Sequence, residues 1–171
     1  TQDLARRVGL VPSALYRHFS DMAALLDAVV EAIFDRLGGL VAQAQAETDS
    51  GLDCLQALFC AHLAMIRQHP GIPMLIFSRE GCGGTPTRQA RVLAGIQGLR
   101  RQVADMLRRA AASGEIDSGT DIEAAAVLYL GLVQPAALLQ MLHDRSWDIE
   151  HHAEALWPCF RRALGAREAT A

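Results

Sequence analysis

The sequence predicts an all-α protein, on three observations. Apolar residues recur at helical spacing along most of the chain, no stretch shows the alternation of a half-buried strand, and Gly, Pro and capping residues divide the chain at helix-length intervals. At 171 residues, 51% of them apolar, the chain can bury a substantial core as one large or two small domains. No internal repeat is present.

The first element is a pair of short helices in Thr1–Phe19. Leu4, Ala5, Val8, Leu10 and Leu15 supply the apolar positions that two crossing helices need, and the small Ala5 lets them approach closely. The first helix runs from about Gln2 to Val8 with Thr1 as N-cap. Gly9 stands where that helix must stop, and glycine takes the left-handed C′ conformation at little cost. After the turn Gly9-Leu10-Val11, Pro12 suits the first turn of a second helix, to about His18. This is the helix-turn-helix layout, whose second helix enters the DNA major groove.

Ser20 or Asp21 caps a long helix predicted over residues 22–46, with Leu25, Leu26, Val29, Val30, Ile33, Phe34, Leu37 and Leu40 in period. The polar stretch Glu47-Thr48-Asp49-Ser50-Gly51 breaks it. The boundary between two functional halves is placed there: 1–46 for the DNA-binding head with its connecting helix, 47–171 for ligand binding and dimerisation. A helix over 52–69 follows, ended by Pro70-Gly71, then a short one from Pro73 to about Arg79. Gly81-Cys82-Gly83-Gly84 is a loop, and no Lys-Ser/Thr follows to make it a phosphate loop. From Thr85 or Thr87 a helix runs to about Ser113, ended by Gly114. Thr120-Asp121-Ile122-Glu123 reads as a capping box opening a helix to about His143. Ser146 is expected to cap the last helix, residues 147–164, which Pro158 should kink.

Charge is uneven. The net charge is −3, but residues 1–20 hold Arg6, Arg7 and Arg17 against Asp3, a local +2 that leaves −5 for the rest. That asymmetry fits a DNA-reading head on an acidic body. All sixteen basic residues are arginine, which codon bias in a GC-rich genome explains without reference to nucleic acid. Cys54, Cys60, Cys82 and Cys159 form no CxxC pair; with no secretory segment in view, reduced thiols in a cytoplasm are expected. The uncharged run from Ala124 to Leu142 is long enough to raise a membrane span, but Gln134, Pro135, Gln140 and its many alanines favour a buried helix or subunit interface.

The opening segment resembles the tetracycline-repressor (TetR) family of bacterial transcriptional regulators. The resemblance rests on Thr1, Leu4-Ala5, Gly9, Leu15-Tyr16-Arg17-His18-Phe19 and, six residues after Phe19, Leu25-Leu26-Asp27-Ala28-Val29. It covers about thirty residues; beyond them only helix count and lengths match. The family has a further helix before this pair, and the sequence begins too late to contain it. The resemblance implies an operator-DNA contact set of Thr1, Pro12, Ser13, Ala14, Tyr16, Arg17 and His18. The chemistry agrees: arginine makes a bidentate contact to guanine, serine adapts, and Tyr, His and backbone N–H groups bind phosphate. Two positions depart from the pattern. Val11 stands where Ser or Thr often caps the recognition helix, a loss of ~1 kcal/mol, and Met22 stands where a lysine often meets phosphate. These losses keep a second reading in view, a helical protein-interaction module with a vestigial DNA head.

The resemblance further implies a small-molecule pocket within the later helices, and a ligand that is largely apolar. His62, Tyr129 and Gln134 are polar residues in otherwise apolar helices and are the polar candidates; Phe59, Met65, Met74, Phe77, Leu93, Ile96 and Met106 are candidate walls. The dimer surface is assigned to Leu128, Leu132, Ala136, Leu139 and Leu142, joined by Leu156, Trp157 and Phe160 from the last helix. Dimerisation would place two recognition helices on half-sites one helical turn apart. No metal and no cofactor is expected: Cys60 and His62, two residues apart on a helix, point to different faces, and His151-His152 reads as a solvated or interface pair. No GxSxG, HExxH or Walker motif marks an enzyme. The expected activity is that of a cytoplasmic, homodimeric repressor released from its operator by a small molecule.

Overall fold

The computed structural model describes residues 19–78, 84–142 and 148–166. The helix-turn-helix pair and all seven expected DNA contacts lie outside the described residues, as do Cys82 and Ser146. Six helices, and no strand, occur among the described residues: α1 (Met22–Glu47), α2 (Gly51–Gln68), α3 (Gly71–Phe77), α4 (Pro86–Ala112), α5 (Ile122–Leu142) and α6 (Ile149–Ala163).

Local chemistry sets the helix ends. Asp21, Ser50 and Thr85 each turn a side-chain oxygen onto the third following N–H, at 2.8, 3.0 and 3.2 Å. Two caps differ from expectation. Asp121, not Thr120, caps α5 by accepting from Ala124 N–H at 3.0 Å, and Thr120 Oγ1 instead donates to the Leu164 carbonyl. Asp148 caps α6 by accepting from His151 N–H at 3.0 Å, so that helix starts later than Ser146 implies. Gly114 and Gly165, at φ 75° and 61°, carry the chain out of α4 and α6. Gly51 belongs to α2 rather than to the preceding break. A Cβ there would run into the backbone of Met106 and Ala110, so glycine lets α2 start flush against α4.

Helix α2 is central, packing on α1, α4, α5 and α6. Its Leu55, Leu58 and Phe59 join Val103, Met106 and Leu107 of α4, Tyr129 of α5 and Trp157 and Phe160 of α6 in the main core. Four aromatic rings sit at its centre: Phe59 stacks on Trp157 at 5.8 Å, Tyr129 meets Phe59 and Phe160 edge-on, and Trp157 lies 5.6 Å from Phe160. The Tyr129 hydroxyl donates to the Leu55 carbonyl at 3.3 Å. Helix α1, about 39 Å long at its 26 residues, reaches this core only with its C-terminal half, through Val41 and Ala44. Its N-terminal half and middle build a second cluster in which Val30, Ile33 and Leu37 meet Met65, Ile76 and Val92.

A clasp between distant segments closes the far end of α1. The Glu115 carboxylate accepts from Ser50 Oγ at 2.7 Å, Leu52 N–H at 2.9 Å and Gly51 N–H at 3.2 Å, and from Ser113 Oγ. An anion at a helix N-terminus satisfies N–H groups that have no partner within the helix. Burial pushes the Glu115 carboxyl up, but the four hydrogen bonds outweigh it and hold it below its ordinary value.

Candidate ligand-binding cavity

A cavity of about 100 Å³ lies at the second cluster, between the N-terminal half of α1 and the other helices. Helix α1 contributes Ile33, Phe34 and Leu37, and α2 contributes His62, Met65 and Ile66. The short α3 closes one side with Ile72, Pro73, Ile76 and Phe77. Ile96 and Leu99 of α4 and Leu130, Val133, Gln134 and Ala137 of α5 complete the wall. Phe34 reaches the cavity because Gly95 of α4 lies against its ring, where any Cβ would overlap it.

Among the described residues two polar side chains, His62 and Gln134, line this apolar space. Gln134 is exposed at the rim. The Nδ1 of His62 is shielded from solvent and has no hydrogen-bond partner among the described residues. Burial lowers the His62 imidazole to about 4, so it is neutral near pH 7.

Five of the ten expected ligand-site residues line the cavity together: His62, Met65, Phe77, Ile96 and Gln134. Five do not. Phe59, Met106 and Tyr129 are wholly buried in the main core, where Tyr129 spends its hydroxyl on Leu55. Met74 lies on the outer side of α3, 58% exposed, and Leu93 likewise faces out of α4. Sequence reasoning missed Ile33, Phe34 and Leu37 as cavity walls. Their periodicity marked them as a packing face, without saying that this face covers a hollow.

The connecting helix is fastened on its other side too. Arg88, in the first turn of α4 and almost fully buried, donates from Nε to Asp27 Oδ1 at 2.7 Å and from a terminal nitrogen to the Ala23 carbonyl at 2.8 Å. A guanidinium taken from water requires such partners. This strut ties the first two turns of α1, next to the N-terminal segment, to the helix that carries Gly95 and Ile96. Nothing in the spacing of Asp27 and Arg88 announces it, since they are 61 residues apart.

The expected dimer residues divide. Ala136, Trp157 and Phe160 are buried within the chain and cannot form a subunit surface. Leu132, Leu139 and Leu156 are half-buried, while Leu128 and Leu142 are exposed, the latter 70%. With Ala124, Val127, Gly131, Pro135 and Leu138 the exposed pair makes an uncharged stripe along α5, recurring every three or four residues. By length and composition Ile122–Leu139 is apolar enough to cross a membrane, and a third of it is buried in the fold. Among the described residues no three His, Cys, Asp or Glu side chains are grouped to hold a metal ion.

Residues 1–29 match the family described as "Bacterial regulatory proteins, tetR family". The nucleoid occlusion factor SlmA of Actinobacillus pleuropneumoniae serotype 5b (strain L20) is 25% identical over 108 residues, 63% of this chain. The chain spans about half the length of that relative, 54%. Two solved structures share the fold. The ketosteroid transcriptional regulator KstR2 of Mycobacterium tuberculosis superposes with a TM-score of 0.76 at 16% identity, over 98% of this chain and 84% of its own. The transcriptional regulator FadR of Bacillus subtilis, solved in complex with stearoyl-CoA, gives 0.71 at 13% identity over 91% and 83%. The chain is thus similar to the tetR family of bacterial regulatory proteins over residues 1–29, and it shares its all-helical fold with the two regulators.

Proposed function

We propose that the chain is a ligand-responsive, DNA-binding transcriptional regulator, working as a cytoplasmic homodimer and repressing until a small molecule releases it. The observation that carries this reading is the position of α1. It begins three residues after the Leu15–Phe19 motif and forms one wall of an apolar cavity. The cavity is about 100 Å³, so a larger molecule extends past its open rim or displaces a wall. The strut from Arg88 to Ala23 and Asp27 links movement of α4 to the head end of α1. The ligand must bind the DNA-competent and released arrangements with different affinity, since equal affinity shifts nothing. The FadR neighbour, solved with stearoyl-CoA, supports a ligand-binding role for this fold.

The exposed stripe on α5 is the surface for the second copy. Uncharged apolar faces of this length are costly to leave in water, and pairing them about a two-fold axis buries both at once. The DNA contacts remain those implied by the family motif, with Arg17 as the base-reading residue. No catalytic role is assigned.

Filling the cavity from within tests the coupling without a known ligand. Ala137→Leu places a larger side chain in the cavity, and Leu138→Met changes the neighbouring exposed position. The first is expected to weaken binding of the full chain to a selected operator duplex at least fivefold, the second to leave it unchanged. Equal affinities for both would remove the cavity from control of DNA binding.

A further inference from the structure

The shielded, partnerless Nδ1 of His62 narrows the kind of molecule the cavity accepts. Buried polar atoms are nearly always hydrogen-bonded, so an orphan on a residue that lines a hollow leaves a hydrogen bond for a ligand to make, once the imidazole turns to bring the atom to the cavity surface. Water is a poor candidate, because a buried water needs two to four polar partners and, among the described residues, the one other polar lining residue is Gln134 at the exposed rim. Among the described residues no Arg, Asp or Glu lines the cavity, so an ionised ligand group would lose its hydration and gain no counter-charge from them.

We propose that the cavity binds a small neutral phenol or alcohol, its hydroxyl hydrogen-bonded to Nδ1 of His62 and its hydrocarbon body held by Ile33, Phe34, Ile66, Phe77 and Ile96. This rests on the ligand-binding reading above and specifies the chemistry of that site. A hydroxyl fits because it both donates and accepts. A neutral imidazole presents either a lone pair or an N–H at Nδ1, according to its tautomer, and a hydroxyl satisfies both. A ketone satisfies one tautomer only. Size sets one ring as the upper limit: an apolar cavity of about 150 Å³ elsewhere holds benzene, and the one here, about 100 Å³, takes a substituted ring only with part of it in the open rim.

The test compares p-cresol, p-xylene and p-toluate, which differ only in carrying a hydroxyl, a methyl or a carboxylate on the same ring. Titration calorimetry on the full chain near pH 7 is expected to show p-cresol binding at least tenfold more tightly than p-xylene, with p-toluate weakest. In His62→Leu, p-xylene should still bind and the preference for p-cresol should fall below twofold. On wild-type protein, p-cresol should move the ¹⁵N resonance of His62 Nδ1 and p-xylene should not, a readout independent of how the variant folds. Equal binding of p-cresol and p-xylene to wild type, a preference that survives His62→Leu, an unmoved Nδ1 resonance, or tightest binding of p-toluate would each overturn the hydroxyl assignment and leave the cavity as a ligand site. Binding of none of the three would overturn both.

Discussion

The ring of Phe34 lies on Gly95 so closely that a methyl group at Gly95 would overlap its Cγ, Cδ1 and Cε1. This one contact brings α1 and α4 together beside the cavity, since Phe34 and the neighbouring Ile96 both line it.

Gly95→Ala therefore forces Phe34 to move. Overpacking of this kind costs about 1–3 kcal/mol, more than the ~1 kcal/mol that alanine gains over glycine in a helix. Gly98, one turn along, has only the end of the Arg101 side chain at 4.0 Å. Thermal unfolding is expected to show a lower Tm for Gly95→Ala and an unchanged or higher one for Gly98→Ala. A raised Tm for both would mean that Phe34 is not held as described.

Glu115→Gln should loosen the start of α2. It keeps the shape but removes the charge that holds Ser50, Gly51, Leu52 and Ser113 together, at a cost of about 1–3 kcal/mol. Because its folded-state pKa lies below the ordinary carboxyl value, its contribution is present above the unfolded pKa of about 4.3 and is lost as pH falls through the folded value. Urea midpoints between pH 6 and pH 3 should drop more steeply for wild type than for Glu115→Gln.

His62 has the opposite charge type and a folded pKa also below its unfolded value. Above about pH 6.5 it is neutral in both states and adds no pH dependence. Between 6.5 and its folded value of about 4, only the unfolded chain takes up the proton, so stability falls with falling pH, by about 3 kcal/mol in all. His62→Leu should flatten that part of the profile. An identical slope in the variant would place the titration elsewhere.

The exposed α5 stripe predicts a dimer that a single charge disrupts. Leu138→Glu puts a carboxylate in its middle, at a residue 52% exposed in the single chain. Sedimentation should show wild type dimeric at micromolar concentration and the variant monomeric with its helicity unchanged. A monomeric wild type would contradict the assignment.

The helices were legible because their signals are local. Apolar period, caps and terminal glycines lie within a few residues of one another, and every described helix stands within about two residues of its expected place. The misplaced cap of α5 is a case where adjacent polar residues compete: Asp121 takes the capping position while Thr120 finds a partner in Leu164. The cavity was legible only in part. An orphan imidazole in an apolar helix is visible as a residue type, which is why His62 could be named. Whether a large apolar residue fills a core or lines a hollow depends on what stands opposite. Tyr129 and Phe59 meet Trp157 and Phe160 and fill their space, whereas Ile33 and Phe34 face a gap. The same non-local information divides the proposed dimer set, putting Ala136 inside and Leu128 outside on one helix. Glu115 and Arg88 were silent in the sequence because their partners lie about sixty residues away.

The central claim, that this chain reads DNA as a two-fold pair, is tested most directly by selecting duplexes from a random pool with the full chain and reading the enriched sequence. The account predicts an inverted repeat with half-site centres about one helical turn apart. It further predicts affinity that falls linearly in log–log plots against salt, and relaxed specificity at one position of each half-site in Arg17→Ala. A selected pool no different from the starting one would contradict it.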